Sequence, residues 1–149
     1  MYAAGDPAGD GEAKKTAPAL RAAAFRALAR SKDDAALETL VEAAFDRIKS
    51  WDGTDPIFAA VTALADSAHP RAAHRAFEAM PKKKGRLADE CFDRVAYVIL
   101  EQRDESMRGA LKAMSEDDKS PHQYMAGVAL TCLDGGHTGN FRALATRWR

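Results

Sequence analysis

The sequence predicts an all-α protein, and three observations lead to this prediction. Alanine is abundant, whereas aromatic residues make up only 7% of the chain and β-branched residues are few, which favours helix over sheet. Apolar residues recur three and four positions apart in segments that end at proline or glycine breaks. These segments also recur at an even distance along the chain. Together the observations predict an α-solenoid of about four antiparallel helix pairs.

The first predicted pair consists of helices at about 18–31 and 34–50. Pro18 suits the first turn of a helix, where its missing N–H costs no hydrogen bond, and Asp34 opposes the positive end of the second helix dipole. The positions expected to face inward on the first helix are Leu20, Ala24, Ala27 and Leu28. Those expected to face inward on the second helix are Leu37, Leu40, Val41, Ala44, Phe45 and Ile48.

The second predicted pair consists of helices at about 56–67 and 70–80. Each opens on a proline, Pro56 after a turn rich in aspartate and Pro70 after a histidine. The inward positions expected on the third helix are Ile57, Phe58, Val61, Leu64 and Ala65. Those expected on the fourth helix are Ala72, Ala73, Ala76, Phe77 and Met80.

The last four predicted helices lie at about 86–102, 105–114, 121–133 and 138–148. The fifth is the most apolar, and its apolar residues reach around much of the circumference, as expected for a helix covered on several sides. The apolar positions of the sixth are Met107, Ala110, Leu111 and Met114. Those of the seventh are Tyr124, Met125, Val128, Ala129, Cys132 and Leu133. Those of the eighth are Phe141, Leu144, Ala145 and Trp148.

The chain repeats internally at a period near 35 residues. A shift of 36 lays the segment from Phe25 over the segment from Val61, and a shift of 34 lays residues 71–80 over 105–114. A further shift of 34 lays the segment from Met107 over the one from Phe141. An even period of this length fits stacked helix pairs in which each pair contacts its neighbours.

The repeated phrase resembles the second helix of a HEAT repeat, in the short bacterial form of paired antiparallel helices. The residues that carry the resemblance lie at 69–77, with similar runs at 104–111 and 138–144. The first pair departs from the pattern, because Glu38 stands in a column that the later pairs fill with His74 or arginine. The resemblance implies a right-handed α-solenoid. Tetratricopeptide repeats are a weaker match, since their Trp-Leu-Gly-Tyr pattern is missing, and a compact helical bundle stays an alternative.

Two units are expected along the chain: a flexible tail at 1–16, rich in Gly, Ala, Pro and Asp, and a repeat domain at 17–149. No secretion signal and no apolar run long enough for a membrane span are recognisable, so a cytoplasmic protein is predicted. Cys91 and Cys132 fall in apolar helical stretches and are expected to be buried thiols, with a disulfide between stacked helices as the alternative.

Neither a metal site nor a catalytic site is predicted. His69 and His74 are five residues apart and do not share a helix face, and solvent-facing histidines are the preferred interpretation for these and for His122. A thiol inside an apolar helix, as expected for Cys91, is a poor nucleophile. The run from Gly135 follows no strand and resembles a helix stop more than a phosphate loop. The chain is therefore predicted to be no enzyme and to use no cofactor.

Surface charge suggests where a partner would bind. In stacked helix pairs one helix of each pair lines a shared face, so the second, fourth, sixth and eighth helices are expected to form one surface. Its charge is predicted to run from acidic on the second helix to basic on the others. The residues predicted to bind a partner are Arg71, His74, Arg75, Arg108, Lys112, Arg142 and Arg147. Because arginine forms paired hydrogen bonds with carboxylates, the expected partner is a protein with an acidic surface.

The predicted function is that of a non-catalytic protein–protein interaction module. An adaptor or scaffold is one form of this function, and an immunity or antitoxin-like protein that occludes a toxin is another. The alternative is binding to a nucleic-acid backbone through the same basic face, as HEAT-like relatives that bind DNA do. Balanced charge, with 22 basic and 22 acidic residues, weighs against that alternative. An ordinary solvated face is the remaining interpretation.

Overall fold

A computed structural model describes residues 19–45, 56–80 and 86–135, with only the backbone described at 56–58 and 86–90. Within these ranges the regular structure is entirely helical, which confirms the all-α prediction for them. The elements are α1 (19–29), α2 (Asp34–Phe45), α3 (Pro56–Ala65), α4 (Ala72–Ala79), α5 (Arg86–Gln102), a 3-10 turn (Glu105–Met107), α6 (Arg108–Glu116) and α7 (Gln123–Leu133). The predicted tail at 1–16 and the predicted helix at 138–148 lie outside the described residues.

The helix starts differ from the prediction in one consistent way. α4 and α7 begin two residues after the proline that was expected to open them. In both cases a serine hydroxyl accepts a backbone N–H two residues further on, that of His69 from Ser67 at 3.1 Å and that of His122 from Ser120 at 3.2 Å. Such side-chain turns compete with the helix for backbone donors. The prolines therefore lie in turns that precede the helices.

The helices pack mainly against elements close to them in the chain. α2 lies against α3, α4 against α5, and α6 against α7. Contacts also join next-but-one helices, α2 with α4, α3 with α5, and α5 with α7. α1 is tied to the turn after α3, where the Ala68 N–H donates to the Ala29 carbonyl at 2.7 Å.

Gln102 shows how the helix ends line up. Its side-chain amide, at the end of α5, lies within hydrogen-bond distance of three carbonyl oxygens at the end of α3. They belong to Leu64 at 3.4 Å, Ala65 at 3.2 Å and Ser67 at 2.9 Å. The last carbonyls of a helix have no partner within the helix, so this side chain acts as a cap supplied by another helix. The C-terminal ends of α3 and α5 therefore lie side by side.

α5 supplies the centre of the core. Phe92, Val95 and Ile99 are almost fully buried on it, and the ring of His122 stacks on Phe92 with centroids 4.8 Å apart. Arg94 is also buried and donates from Nη1 to the carbonyl oxygen of Ala44 at 2.8 Å, near the end of α2. The expectation that α5 is covered on several sides is confirmed, because it contacts α3, α4 and α7.

The inward face predicted for α1 is wrong at three of its four positions, whereas Leu28 is half-buried against the core as predicted. Leu20 is 69% exposed, and Ala24 and Ala27 are exposed as well, whereas Phe25 and Ala29 are buried. Both faces of this helix carry apolar residues, so periodicity alone does not separate them. Burial of the larger aromatic surface of Phe25 decides which face turns inward.

Elsewhere the predicted inward stripes are largely confirmed. The positions of α2 and α4 that are both predicted inward and buried are Leu37, Leu40, Val41, Ala44, Ala72, Ala73 and Ala76. On α7 the exception is Tyr124, which is 71% exposed while Ala126 and Ala129 are buried. Small residues thus form the inner face of α7, which lets it approach its neighbours closely.

Replacing Gly109, in the first turn of α6, by Ala is expected to stabilise the protein by about 0.4–1 kcal/mol, because alanine lowers the backbone entropy of the unfolded chain. An added Cβ at this position of α6 meets no atom within 4 Å. Gly135→Ala is the matched control. Gly135 has a φ of +86°, so alanine there is strained and stability is expected to fall. Urea denaturation of both variants measures the effects, and the same sign for both would contradict this description of the backbone.

Candidate functional site

The predicted partner-binding face is organised by Arg75, in the first half of α4. Its Nε donates to Oε1 of Glu38 at 2.6 Å and its Nη2 to Oε2 of the same carboxylate at 2.8 Å. Its Nη1 donates to Oε2 of Glu78 at 2.8 Å. Such a two-bond fork is the strong, geometrically specific form of an ion pair. Arg75 therefore joins α2 to α4, and its side chain is only 28% exposed.

These ion pairs shift the ionisation of all three groups. The hydrogen bond from Arg75 lowers the pKa of Glu38, and a second one lowers the pKa of Glu78. The two carboxylates in turn raise the pKa of Arg75, Glu38 more than Glu78. Arg71 adds a longer contact, with its Nη2 at 3.5 Å from Oε1 of Glu78. Two of the predicted partner-binding arginines thus share one carboxylate on their own helix.

His74, on α4, contacts the 3-10 turn that precedes α6. Its Nε2 lies 2.8 Å from Oγ of Ser106, and Ser106 Oγ also makes a short hydrogen bond to Oδ1 of Asp104. A carboxylate only accepts, so the hydroxyl donates to Asp104 and His74 donates to the hydroxyl. The Ser106 N–H donates to Asp104 as well, at 3.0 Å. This arrangement caps the 3-10 turn. It does not leave the histidine as a base towards the serine.

Arg108, the first residue of α6, forms ion pairs with Glu105 and with Asp134, which follows α7. Its Nε and Nη2 donate to Oε2 of Glu105 at 3.0 and 2.6 Å, and its Nη1 donates to Oδ1 of Asp134. The hydrogen bond to Glu105 is the main cause of the raised pKa of Arg108, and the one to Asp134 is the next. Because Asp134 follows α7, this arginine joins the first turn of α6 to the end of α7.

The remaining predicted residues have different positions. Lys112 lies exposed on α6, one turn after Arg108. Arg142 and Arg147 lie outside the described residues. The structure therefore brings Arg71 and Arg75 together and links His74 to the 3-10 turn before α6. It places Arg108 and Lys112 on α6. Charge on this face is of both signs in the described part of the chain, because each of the three arginines has a carboxylate partner.

Sequence analysis missed the carboxylates that hold these arginines. Glu78 and Glu105 stand three residues from Arg75 and Arg108, a spacing at which helical side chains meet. Glu38 stands 37 residues before Arg75, close to the repeat period. Both spacings are visible in the sequence, and a search for opposite charges at one period would have found the second.

The prediction of solvent-facing histidines is wrong for His69 and His122, which are each 6% exposed. His69 Nδ1 accepts the N–H of Arg71 at 3.0 Å, so the ring proton is on Nε2 and is donated to Oδ1 of Asp34 at 2.7 Å. A neutral ring with both nitrogens bonded is compatible with burial. His69 thereby fixes the turn between α3 and α4 against the first residue of α2.

The described residues contain no metal-binding cluster, no disulfide and no membrane-spanning helix. Among the described residues, no three His, Cys, Asp or Glu side chains are placed to hold a metal ion. Cys91 is buried and Cys132 half-buried, and no disulfide joins them. None of the described helices combines the length and the apolar character that crossing a bilayer requires.

An open groove runs along α7 and is bordered by Ser115 of α6. Its lining residues are uncharged, and they are Ser115, Gln123, Tyr124, Gly127, Val128 and Thr131. The groove is on a different side of α7 from its buried alanines. It serves below as a comparison surface for the charged face.

The free energy of unfolding is expected to decrease as the pH falls below about 4.5, in part because the ion pairs of Arg75 are lost. Glu38 and Glu78 have lowered pKa values in the folded protein against an ordinary value of 4.5, so the unfolded chain binds more protons as the pH falls. Their contribution is present above the unfolded value and is lost as the pH passes through the folded values. Arg75→Met removes the cause of both shifts. Its destabilisation relative to wild type is therefore expected to be larger at neutral pH than in acid.

Urea denaturation between about pH 7 and pH 3 measures this difference. Arg26→Met is the matched control, because Arg26 lies exposed on α1 and has no carboxylate partner among the described residues. A pH-independent cost of Arg75→Met would contradict the assignment.

Comparisons of the chain with protein-family models, curated protein sequences and solved structures found no match. The residues that the structure describes therefore define an all-helical protein whose helices are joined by side-chain contacts.

Proposed function

We propose that the protein is a non-catalytic binding protein, built as a HEAT-like α-solenoid, that holds a partner protein on the face formed by α2, α4 and α6. The observation that carries the proposal is the spacing of the contacts between helices. Asp34 and His69 are 35 residues apart, Glu38 and Arg75 are 37 apart, and His74 and Ser106 are 32 apart. Contacts that recur at one period support a stack of similar helix pairs.

The positions of the helix ends support the same arrangement. The contacts of His69 and His74 bring the N-terminal ends of α2, α4 and α6 to one edge. The Gln102 amide brings the ends of α3 and α5 to that edge, and Arg108 does the same for the end of α7. Helices that start and helices that end thus alternate along it, as expected for antiparallel pairs laid side by side.

Binding rather than catalysis is supported by what the polar side chains do. Ser106 donates a hydrogen bond from its hydroxyl to Asp104 and so acts as a capping group. Arg75 and Arg108 hold helices together through carboxylates. The rest of the face is available to a partner. Its exposed positions are Thr39 and Glu42 on α2, Glu78 on α4, and Gly109, Lys112, Ala113 and Glu116 on α6.

The mixed charges of this face bear on the partner. Since each described arginine already has a carboxylate neighbour, the face suits a protein surface of alternating charge better than a uniformly acidic one. The same pairing makes binding of a nucleic acid less favourable, because a phosphate backbone is bound by several neighbouring cations that have no carboxylate partner. An adaptor and a toxin-occluding protein are both forms of the proposed function.

The test is affinity capture from the source cells with three forms of the chain. Gly109→Arg places a long side chain on the face where an added Cβ meets no atom within 4 Å. Thr131→Arg places the same side chain on the groove side of α7, where Thr131 is exposed. A partner is expected with wild type and with Thr131→Arg, and its yield is expected to fall sharply with Gly109→Arg. Equal capture by all three forms would rule out this face.

A further inference from the structure

α1 carries positive charge that the described part of the protein does not neutralise. Arg21 and Arg26 are exposed on the helix, and Arg30 and Lys32 are exposed in the residues that follow it. None of the four forms an ion pair with another described residue. No acidic residue occurs from 19 to 32. This contrasts with the arginines of α4 and α6, which all have carboxylate partners.

The same side of α1 also exposes apolar surface. Leu20 is one of two large hydrophobic side chains that are prominently exposed in the described residues, and Ala23, Ala24 and Ala27 are exposed near it. Their spacing of three and four places them on one stripe of the helix, with Arg21 on one side and Arg30 on the other. The stripe is distinct from the buried face of α1, which contains Phe25 and Ala29.

The helix dipole accounts for only part of this charge. Cations near the last turn oppose the negative end of the dipole, which suits Arg26 and Arg30. Arg21 lies in the N-terminal half of α1, where the dipole favours acidic residues. The dipole therefore does not account for the position of Arg21.

We propose that this side of α1 is a docking surface for an acidic amphipathic helix of a partner protein. Charge complementarity selects the partner, because acidic residues on its flanks would meet Arg21 on one side and both Arg26 and Arg30 on the other. Apolar residues of the partner would cover Leu20. Small alanines allow two helices to approach closely. Leu20 is the only large side chain on the stripe, so a lipid bilayer would gain little apolar contact from it. The proposal does not depend on the proposed function, because α1 is not part of the α2, α4 and α6 face.

The experiment measures binding of a fluorescent synthetic helix in which glutamates flank a stripe of leucine and alanine. The comparison probes are the same peptide with lysine for glutamate, vesicles with about 30% phosphatidylserine, and a duplex of about 20 base pairs. The wild-type chain is expected to bind the acidic peptide and to bind it more tightly than any comparison probe. Tighter binding of vesicles or duplex, or no binding of the acidic peptide, would overturn the proposal.

Arg26→Glu/Arg30→Glu is expected to weaken peptide binding by about tenfold or more, since two attractive charges become repulsive. Arg103→Glu/Lys119→Glu is the matched control, because both residues are exposed outside α1 and outside the α2, α4 and α6 face, and the change in net charge is equal. Leu20→Ser is expected to weaken binding by about threefold or more without loss of helix by circular dichroism. Equal loss in the control variant, or no loss in the α1 variants, would show that α1 is not the docking surface.

Two other occupants of the surface would also overturn the proposal. If the wild-type chain sediments as a dimer that Arg26→Glu/Arg30→Glu dissociates, the occupant is a second copy. If deletion of residues 2–16 raises peptide affinity by about tenfold or more, the N-terminal segment of the chain occupies the surface.

Discussion

Phe92→Ala is expected to lower the free energy of unfolding by about 3–5 kcal/mol, the largest effect of any substitution considered for this protein. Phe92 is 1% exposed at the centre of α5, and its ring stacks on that of His122. Truncation removes buried aromatic surface and leaves a cavity between α5 and the start of α7. A loss of this size is a large fraction of the stability of a typical domain.

Tyr124→Ala is the matched control for this prediction. It removes an aromatic ring of similar size from α7, but Tyr124 is 71% exposed. Its cost is expected to stay within about 0.5 kcal/mol, as for surface substitutions in general. Urea denaturation of both variants gives the comparison. If the two costs are equal, α5 is not the centre of the core.

Ala76→Leu is expected to cost about 1–3 kcal/mol, because it inserts a larger side chain where no space exists. Ala76 is fully buried on α4, which packs against α2, α3 and α5. It also directly follows Arg75, so a shift of α4 would disturb the two hydrogen bonds to Glu38. The loss therefore combines overpacking with a weakened link between α2 and α4.

Ala113→Leu provides the control for overpacking. Ala113 lies exposed on α6, so the same enlargement meets solvent, and a change within about 0.5 kcal/mol is expected. Thermal and urea unfolding of the two variants measure the difference. A tolerated Ala76→Leu would mean that α4 is not held tightly between its neighbours.

Much of the helical layout was predictable from the sequence. The bounds of α5 agree with the prediction, and those of α3 and α4 differ from it by two residues at most. The reason is that proline and glycine breaks are local signals, and the apolar spacing within α2 and α4 is unambiguous. Boundaries set by side-chain turns, as at Ser67 and Ser120, were missed because the serines compete for donors only in the folded geometry.

The rotation of α1 was not predictable by the same means. Leu20 and Phe25 lie on different faces, and alanines fill both, so the apolar pattern has no clear direction. The partners of Arg75 and Arg108 were missed for a related reason. A charge on a helix can be read from the sequence, but whether a carboxylate reaches it depends on how neighbouring helices stack. Glu38 and Asp134 come from other helices or their ends.

The burial of His69 is the clearest case in which specific hydrogen bonds override the usual exposure of a residue type. Histidine near a turn is usually exposed, but both ring nitrogens of His69 have hydrogen-bond partners, Asp34 and the Arg71 N–H. Satisfied bonds offset the cost of burial. The sequence holds no local signal for this, since Asp34 is 35 residues away.

Amide hydrogen exchange of the protein, measured with and without its captured partner, is the most direct test of partner binding on α2, α4 and α6. When the partner is bound, slower exchange of backbone amides is expected in α2, α4 and α6, centred near Thr39, Glu78 and Lys112. Protection confined to α3, α5 and α7, with exchange in α2, α4 and α6 unchanged, would contradict it.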